Sequence, residues 1–169
     1  MADFLPAYEA MIRNEGGYVL HNVPGDRGGM TYAGIARNMN PTWAGWEIID
    51  QGGTPPADMV RHFYRTRFWA PICGDELAHQ TIAQCIFDFG VNTGVGVAAK
   101  LAQLVVGATP DGQIGPRTVV ALNAYDPDRF VMAYALAKIA RYRDIVSRDR
   151  TQQKFLLGWI NRTLKGVAA

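Results

Sequence analysis

The chain has 169 residues, 49% of them hydrophobic and 19% charged, with a formal net charge of +2. That is enough apolar material to build a proper core in one domain, which excludes a disordered chain. The charge is too small to point to nucleic acid, and no apolar run approaches the roughly 20 residues of a membrane helix, so membrane insertion is not expected.

From the start of the chain, Phe4, Leu5, Tyr8, Met11 and Ile12 recur at helical spacing, and Gly16 and Gly17 end that helix. Asp3, Pro6 and Glu9 fall where a signal peptide would be apolar, so synthesis in the cytoplasm without a signal peptide is expected. Residues 18–46 contain NVPGDRGG, GGMTYAGI and NMNPTW, glycine-rich ground with short stretches that pair as strands. Helical pattern then returns. Thr54 before Pro55 and Pro56 reads as a cap with a proline start, followed by a face of Met59, Val60, Phe63, Tyr64 and Phe68. An apolar helix is predicted over 78–90, a turn over 92–96 and a short helix over 97–106. The segment GATPDGQIGPRTVVAL reads as a turn and a helix from Pro116. Asp126 caps a long helix from Pro127, and Phe155, Leu156, Trp159, Ile160 and Leu164 mark a last one. The pattern predicts a mainly α globule with one irregular lobe after the first helix.

Chemistry enters at NEGGYV, residues 14–19. On a helical wheel Glu15 lies about 40° from Met11 and about 20° from Phe4, at roughly 100° per residue. It therefore continues the apolar face. It also sits at the helix C-terminus, where the dipole disfavours a carboxylate. Both surroundings favour the protonated acid that general acid catalysis requires. The alternative is an exposed helix-end glutamate paired with Arg13. Asp26, in PGDRGGMT, is placed to hold a water or a sugar hydroxyl, or else to form an Asx-turn. Thr31 can position a water and Tyr32 can stack on a sugar ring, against ordinary strand packing for both.

Asp88, in FDFGVNTG, needs a partner inside an apolar helix; bonding to nearby backbone amides is the expectation. Asn92, at the end of that helix, is a cap or a substrate ligand. DGQIGPRT lacks the Gly-Lys-Ser/Thr spacing of a phosphate loop, and no GxSxG elbow is present. The interleaved charges of KIARYRDIVSRDR, residues 138–150, read as a solvated helix face, with a basic ligand-binding patch as the alternative. His21, His62 and His79 show no metal-binding spacing, so neither a metal nor another cofactor is expected. Cys73 and Cys85 sit among apolar residues and read as free thiols rather than a pair.

Together these segments resemble glycoside hydrolase family 108, the phage-type N-acetylmuramidases with a lysozyme-like helical fold, some described as secretion activator proteins. EGGYV at 15–19 is similar to the family's catalytic Glu-Gly-Gly motif, and DRGGMTYAGI at 26–35 to its Asp-x-Gly-Gly-x-Thr segment. FDFGVNTG and DGQIGPRTVVAL resemble the second half, a predicted peptidoglycan-binding region. The stretch between Val19 and Asp26 is longer than the family's usual one, and Tyr32 stands where asparagine is common.

The resemblance implies a single lysozyme-like domain over 1–169, with a catalytic half at 1–92 and a helical peptidoglycan-binding-like half at 93–169 sharing one core. Glu15 would be the catalytic acid at the floor of a cleft, with Asp26 and Thr31 as further site residues. The implied partner is the glycan strand of peptidoglycan, cleaved at the β-1,4 bond between N-acetylmuramic acid and N-acetylglucosamine. Action on the wall after release, with a holin as the export partner, goes with that reading. A lytic transglycosylase and a non-catalytic wall-binding or secretion-assisting protein are the alternatives.

Overall fold

The computed structural model describes residues 1–14, 16–22 and 29–167. Its contacts divide the chain into two compact units, Phe4–Arg67 and Met1–Asp3 with Phe68–Ala169. The fold is mainly α and lysozyme-like, with a small three-stranded antiparallel sheet after the first helix.

In the Phe4–Arg67 unit, α1 (Phe4–Asn14) buries Phe4, Ala7, Tyr8, Met11 and Ile12. Those positions are the i, i+3, i+4, i+7, i+8 stripe of an amphipathic helix. Leu5, read from sequence as part of that face, falls beside it and stays 43% exposed. The sheet runs β1 (Leu20–Asn22), β2 (Met30–Tyr32), β3 (Ile35–Ala36). Its registers are set by Leu20↔Tyr32 and Tyr32↔Ile35. Ala33 and Gly34 make the two-residue β2–β3 turn with φ of +49° and +78°. Positive φ at both places is the type I′ geometry that matches strand twist. The buried Tyr64 hydroxyl holds this turn by donating to the Ala33 carbonyl at 2.8 Å.

Two short helices complete the unit, α2 (Gly45–Asp50) and α3 (Ala57–Tyr64). The first, only six residues long, is absent from the sequence reading. Thr54 is not the cap of α3. Pro56 occupies the N-cap position in extended conformation, with no side-chain cap bond. A run of aromatic contacts ties α1 to the sheet. Tyr8 meets Tyr64 at 5.9 Å, Tyr64 meets Phe63 at 5.3 Å, and Phe63 meets Trp43 at 6.3 Å. Trp43 then stacks on Tyr32 at 6.1 Å. Such pairs add to plain area burial and fix the mutual orientation of the elements. At the rim, Arg37 makes a two-pronged ion pair with Asp50, both bonds 2.7 Å.

The other unit contains α4 (Gln80–Thr93), α5 (Val95–Val105), α6 (Pro116–Ala124), α7 (Pro127–Arg148) and α8 (Gln153–Lys165). Ile82, Ile86 and Phe87 of α4, Ala98 and Ala102 of α5, Leu122 of α6, and Phe130 and Tyr134 of α7 are all at most 1% exposed and form the core. Local signals place two helix starts. Pro116 stands at the first position of α6, and Asp126 accepts from the Arg129 N–H at 2.8 Å to cap α7. The expected turn at 92–96 is shorter than predicted. α4 continues to Thr93, with Asn92 and Thr93 bonding back to the carbonyls of Asp88 and Phe89 in their own helix.

Gln103 organises the DGQIGPRT loop. Buried at 1% exposure, it donates to Asp111 at 2.7 Å and to the Gln113 carbonyl at 2.9 Å, and accepts from the Gly112 N–H at 2.9 Å. The Gln113 N–H and then Gln103 hold the Asp111 carboxyl below the usual carboxylate range. Gln103→Leu keeps the volume but strips these partners. Each orphaned buried group costs on the order of 1–3 kcal/mol, so the unfolding free energy from urea titration is expected to fall by an amount of that size, and the midpoint with it. An unchanged midpoint would show that the loop holds itself.

Candidate functional site

The end of α1 is where sequence and backbone converge on a site. The Gly17 N–H donates to the Ile12 carbonyl at 2.9 Å and the Gly16 N–H to the Arg13 carbonyl at 3.3 Å. With φ of +85° at Gly16 and +78° at Gly17, this is a Schellman closure, which needs a residue without Cβ strain at its left-handed position. Nothing lies within 4 Å of where a Cβ would stand on either glycine. Conformation, not crowding, therefore explains these two glycines. Glu15 and Asp26 lie outside the described residues.

Thr31 and Tyr32 are neighbours on β2, where successive side chains take opposite faces. Thr31 is half-buried, its hydroxyl donating to the Gly29 carbonyl at 3.4 Å, and it faces His21 across the β1–β2 ladder. Tyr32 is a core residue, 4% exposed. Its ring lies on Trp43 and its hydroxyl donates to the Pro55 carbonyl at 3.3 Å. Burial raises its pKa. The strand-packing alternative is what this geometry describes, because both ring and hydroxyl are engaged inside. Asn92 belongs to the other unit and is exposed, its amide donating to the Asp88 carbonyl at 2.7 Å.

The tyrosine with an open ring near the helix end is Tyr18. It is 41% exposed, and its hydroxyl lies 2.8 Å from that of buried Tyr8. The Tyr8 phenol is pushed well above its ordinary value by burial and then by this hydrogen bond, so it stays a neutral hydrogen-bonding group. Tyr8 and Tyr18 line a cavity of about 260 Å³, with Glu9, Arg13 and Arg61 as its charged groups and Leu5 and Ile12 as its apolar ones. An aromatic face beside mixed charges suits a polar ring-shaped ligand. Sequence reading passed over this site because Tyr18 follows the glycines, outside any periodic run.

Asp88 also departs from expectation. Its carboxylate faces Arg162 of α8 at 3.9 Å rather than backbone amides. Lys138, expected on a solvated face, lies over the rings of Phe89 at 5.0 Å and Tyr134 at 4.9 Å. Burial lowers its pKa. Cys73 and Cys85 are free thiols.

Among the described residues, no helix is long and apolar enough to cross a membrane. No curated protein matches the chain. Among solved structures, that of Brucella abortus SagA is similar over 98% of this chain and 91% of that one, at 25% identity and a TM-score of 0.74. A predicted peptidoglycan domain matches residues 97–164. Glycosyl hydrolase 108 matches residues 8–94, more than half of the chain and inclusive of the α1 end, the sheet and α4. The two matches give the chain a role in hydrolysing or binding peptidoglycan, with peptidoglycan as its partner. On this evidence the chain belongs to the glycosyl hydrolase 108 family.

Proposed function

We propose that the protein is a peptidoglycan hydrolase, an N-acetylmuramidase, with Glu15 as its general acid. The observation that carries the reading is the Schellman closure at Gly16–Gly17, inside the glycosyl hydrolase match. It stops α1 at Asn14, so in the sequence Glu15 directly follows the last helical residue, and a carboxyl at a helix C-terminus meets the dipole end that favours its neutral form. The cavity beside that helix end, with the open Tyr18 ring, supports a sugar ligand.

In this reading the Glu15 proton passes to the glycosidic oxygen as the C1–O bond breaks. Positive charge develops at C1 of the muramic acid, and water adds there, losing its proton to a carboxylate. Asp26 is assigned to that second step, as base or nucleophile, and Thr31 to positioning beside it. A carboxyl separation of about 5–5.5 Å gives retention and about 6.5–9.5 Å inversion. Proton NMR of the first-formed anomer, in wild type and Asp26→Asn, tests the assignment. If Asp26→Asn turns over normally, Asp26 has another task. Action at the wall after release through a holin-type pore goes with this function. That route requires active protein to accumulate inside cells until the inner membrane is breached.

The decisive assay is incubation of the purified protein with peptidoglycan followed by product analysis. New reducing ends on muramic acid are expected. Products ending in 1,6-anhydromuramic acid would make it a lytic transglycosylase. Sedimentation with the wall and no cleaved bond at any pH would make it a binding protein.

A further inference from the structure

Helices α5 and α7 carry a groove of about 420 Å³ that the hydrolytic reading does not use. Its α5 wall is Val97, Lys100, Leu101 and Leu104, an i, i+3, i+4, i+7 stripe. The α7 wall repeats that spacing, from Ala137 and Ala140 to Arg141, Asp144 and Arg148. The two alanines leave the space between the helices unfilled. Beneath the groove the helices are pinned by the buried Tyr134 hydroxyl, which donates to the Ala98 carbonyl at 3.0 Å. The groove is therefore preformed.

Its charge is one-sided. Three cations line it against one acid, Asp144, and Arg143 already engages that acid with bonds of 2.7 and 3.1 Å. Lys100 also feels Asp111. Arg141 and Arg148 form no ion pair among the described residues. The Arg141 Nε is buried there without a hydrogen-bond partner, and a buried polar group of that kind calls for one. A guanidinium fork takes a carboxylate in two parallel bonds, and the alanine and leucine surfaces suit methyl groups. The occupant that matches is a short peptide carrying carboxylates and alanine side chains.

We propose that the α5–α7 groove binds the peptide stem of peptidoglycan through its carboxylates, as a site separate from the one that cleaves the glycan. The choice of peptide rests on the peptidoglycan reading, and every groove residue lies within the segment 97–164 matched by the peptidoglycan domain.

The test uses the full wild-type chain and a synthetic, sugar-free stem peptide, Ala-γ-Glu-diaminopimelate-Ala, which a glycosidase does not cleave. Calorimetric titration is expected to give saturable binding. Amidating the peptide carboxylates is expected to weaken it by roughly tenfold or more, the scale of one lost charge-assisted contact. Ala140→Leu, which adds bulk to the α7 wall, and Arg148→Glu, which reverses a rim charge, are expected to abolish binding while leaving melting and the cleavage of peptide-free glycan unchanged. No binding at millimolar peptide, binding indifferent to both variants, or preference for a polyphosphate over the peptide would overturn the proposal. Its failure is distinct from failure of the hydrolase reading: peptide-free glycan is then still cleaved, whereas a failed hydrolase reading leaves peptide binding without new reducing ends.

Discussion

Glu15→Gln is expected to fold as the parent does and to lose glycan cleavage by roughly 10²–10⁴-fold, the range a positioned general acid supplies. The amide keeps the size and polarity of the side chain and removes the transferable proton. The helix end adds a second signature. A carboxylate at a helix C-terminus opposes the dipole, so removing its charge is neutral or stabilising by about 0.3–1 kcal/mol. The variant is therefore expected to melt at or slightly above the parent temperature while inactive. A merely structural glutamate would not give that pairing.

Glu15→Asp keeps the charge but withdraws the carboxyl by one methylene, so it should lose kcat more than KM. Glu9, on the cavity wall six residues earlier in the chain, is the control: Glu9→Gln should retain turnover. If Glu9→Gln is dead and Glu15→Gln clears walls normally, the acid is Glu9 and the Glu-Gly-Gly assignment is wrong.

What the sequence disclosed depends on how local the controlling interaction is. The α1 stripe follows from helical spacing alone, and its stop from two glycines that take positive φ. The starts of α6 and α7 are equally local, a proline at the first position and an aspartate accepting from the N–H three residues on. α2 was missed because six residues give no periodicity to detect.

Tyr32 and Tyr18 show the limit at the site. Sequence spacing cannot say which face of β2 turns inward; packing on Trp43 decides it, and leaves Tyr18 as the exposed ring. Lys138 and Arg141 belong to a charge run that reads as solvated. Both are drawn in because α7 packs against α4 and α5, contacts more than 30 residues away in the chain. The basic patch weighed as an alternative for that run corresponds in part to the Arg141–Arg148 rim of the groove.

Gly74→Ala is expected to be the most damaging single methyl addition in the Phe68–Ala169 unit. A Cβ there would lie 2.3–2.7 Å from the Cε2, Cδ2 and Nε1 atoms of the Trp69 ring. That ring is fully buried, meets Phe87 edge-on at 5.7 Å, and donates from Nε1 to Asp75 at 2.8 Å. The atoms met belong to a buried ring rather than to the end of a flexible chain, so the methyl must be met by shifts of the ring, the backbone or the core. Overpacking of this kind costs about 1–3 kcal/mol. For a chain of this length that corresponds to a melting temperature lowered by roughly 2–12 °C. Gly158, exposed in the middle of α8 with nothing within 4 Å of a Cβ, gives the opposite case. There alanine removes backbone freedom from the unfolded chain and is expected to stabilise by about 0.5–1 kcal/mol. The same substitution thus changes sign with its surroundings. Thermal melts of the two variants measure it directly. Equal melting of Gly74→Ala and the parent would mean that the Trp69 ring has room to move.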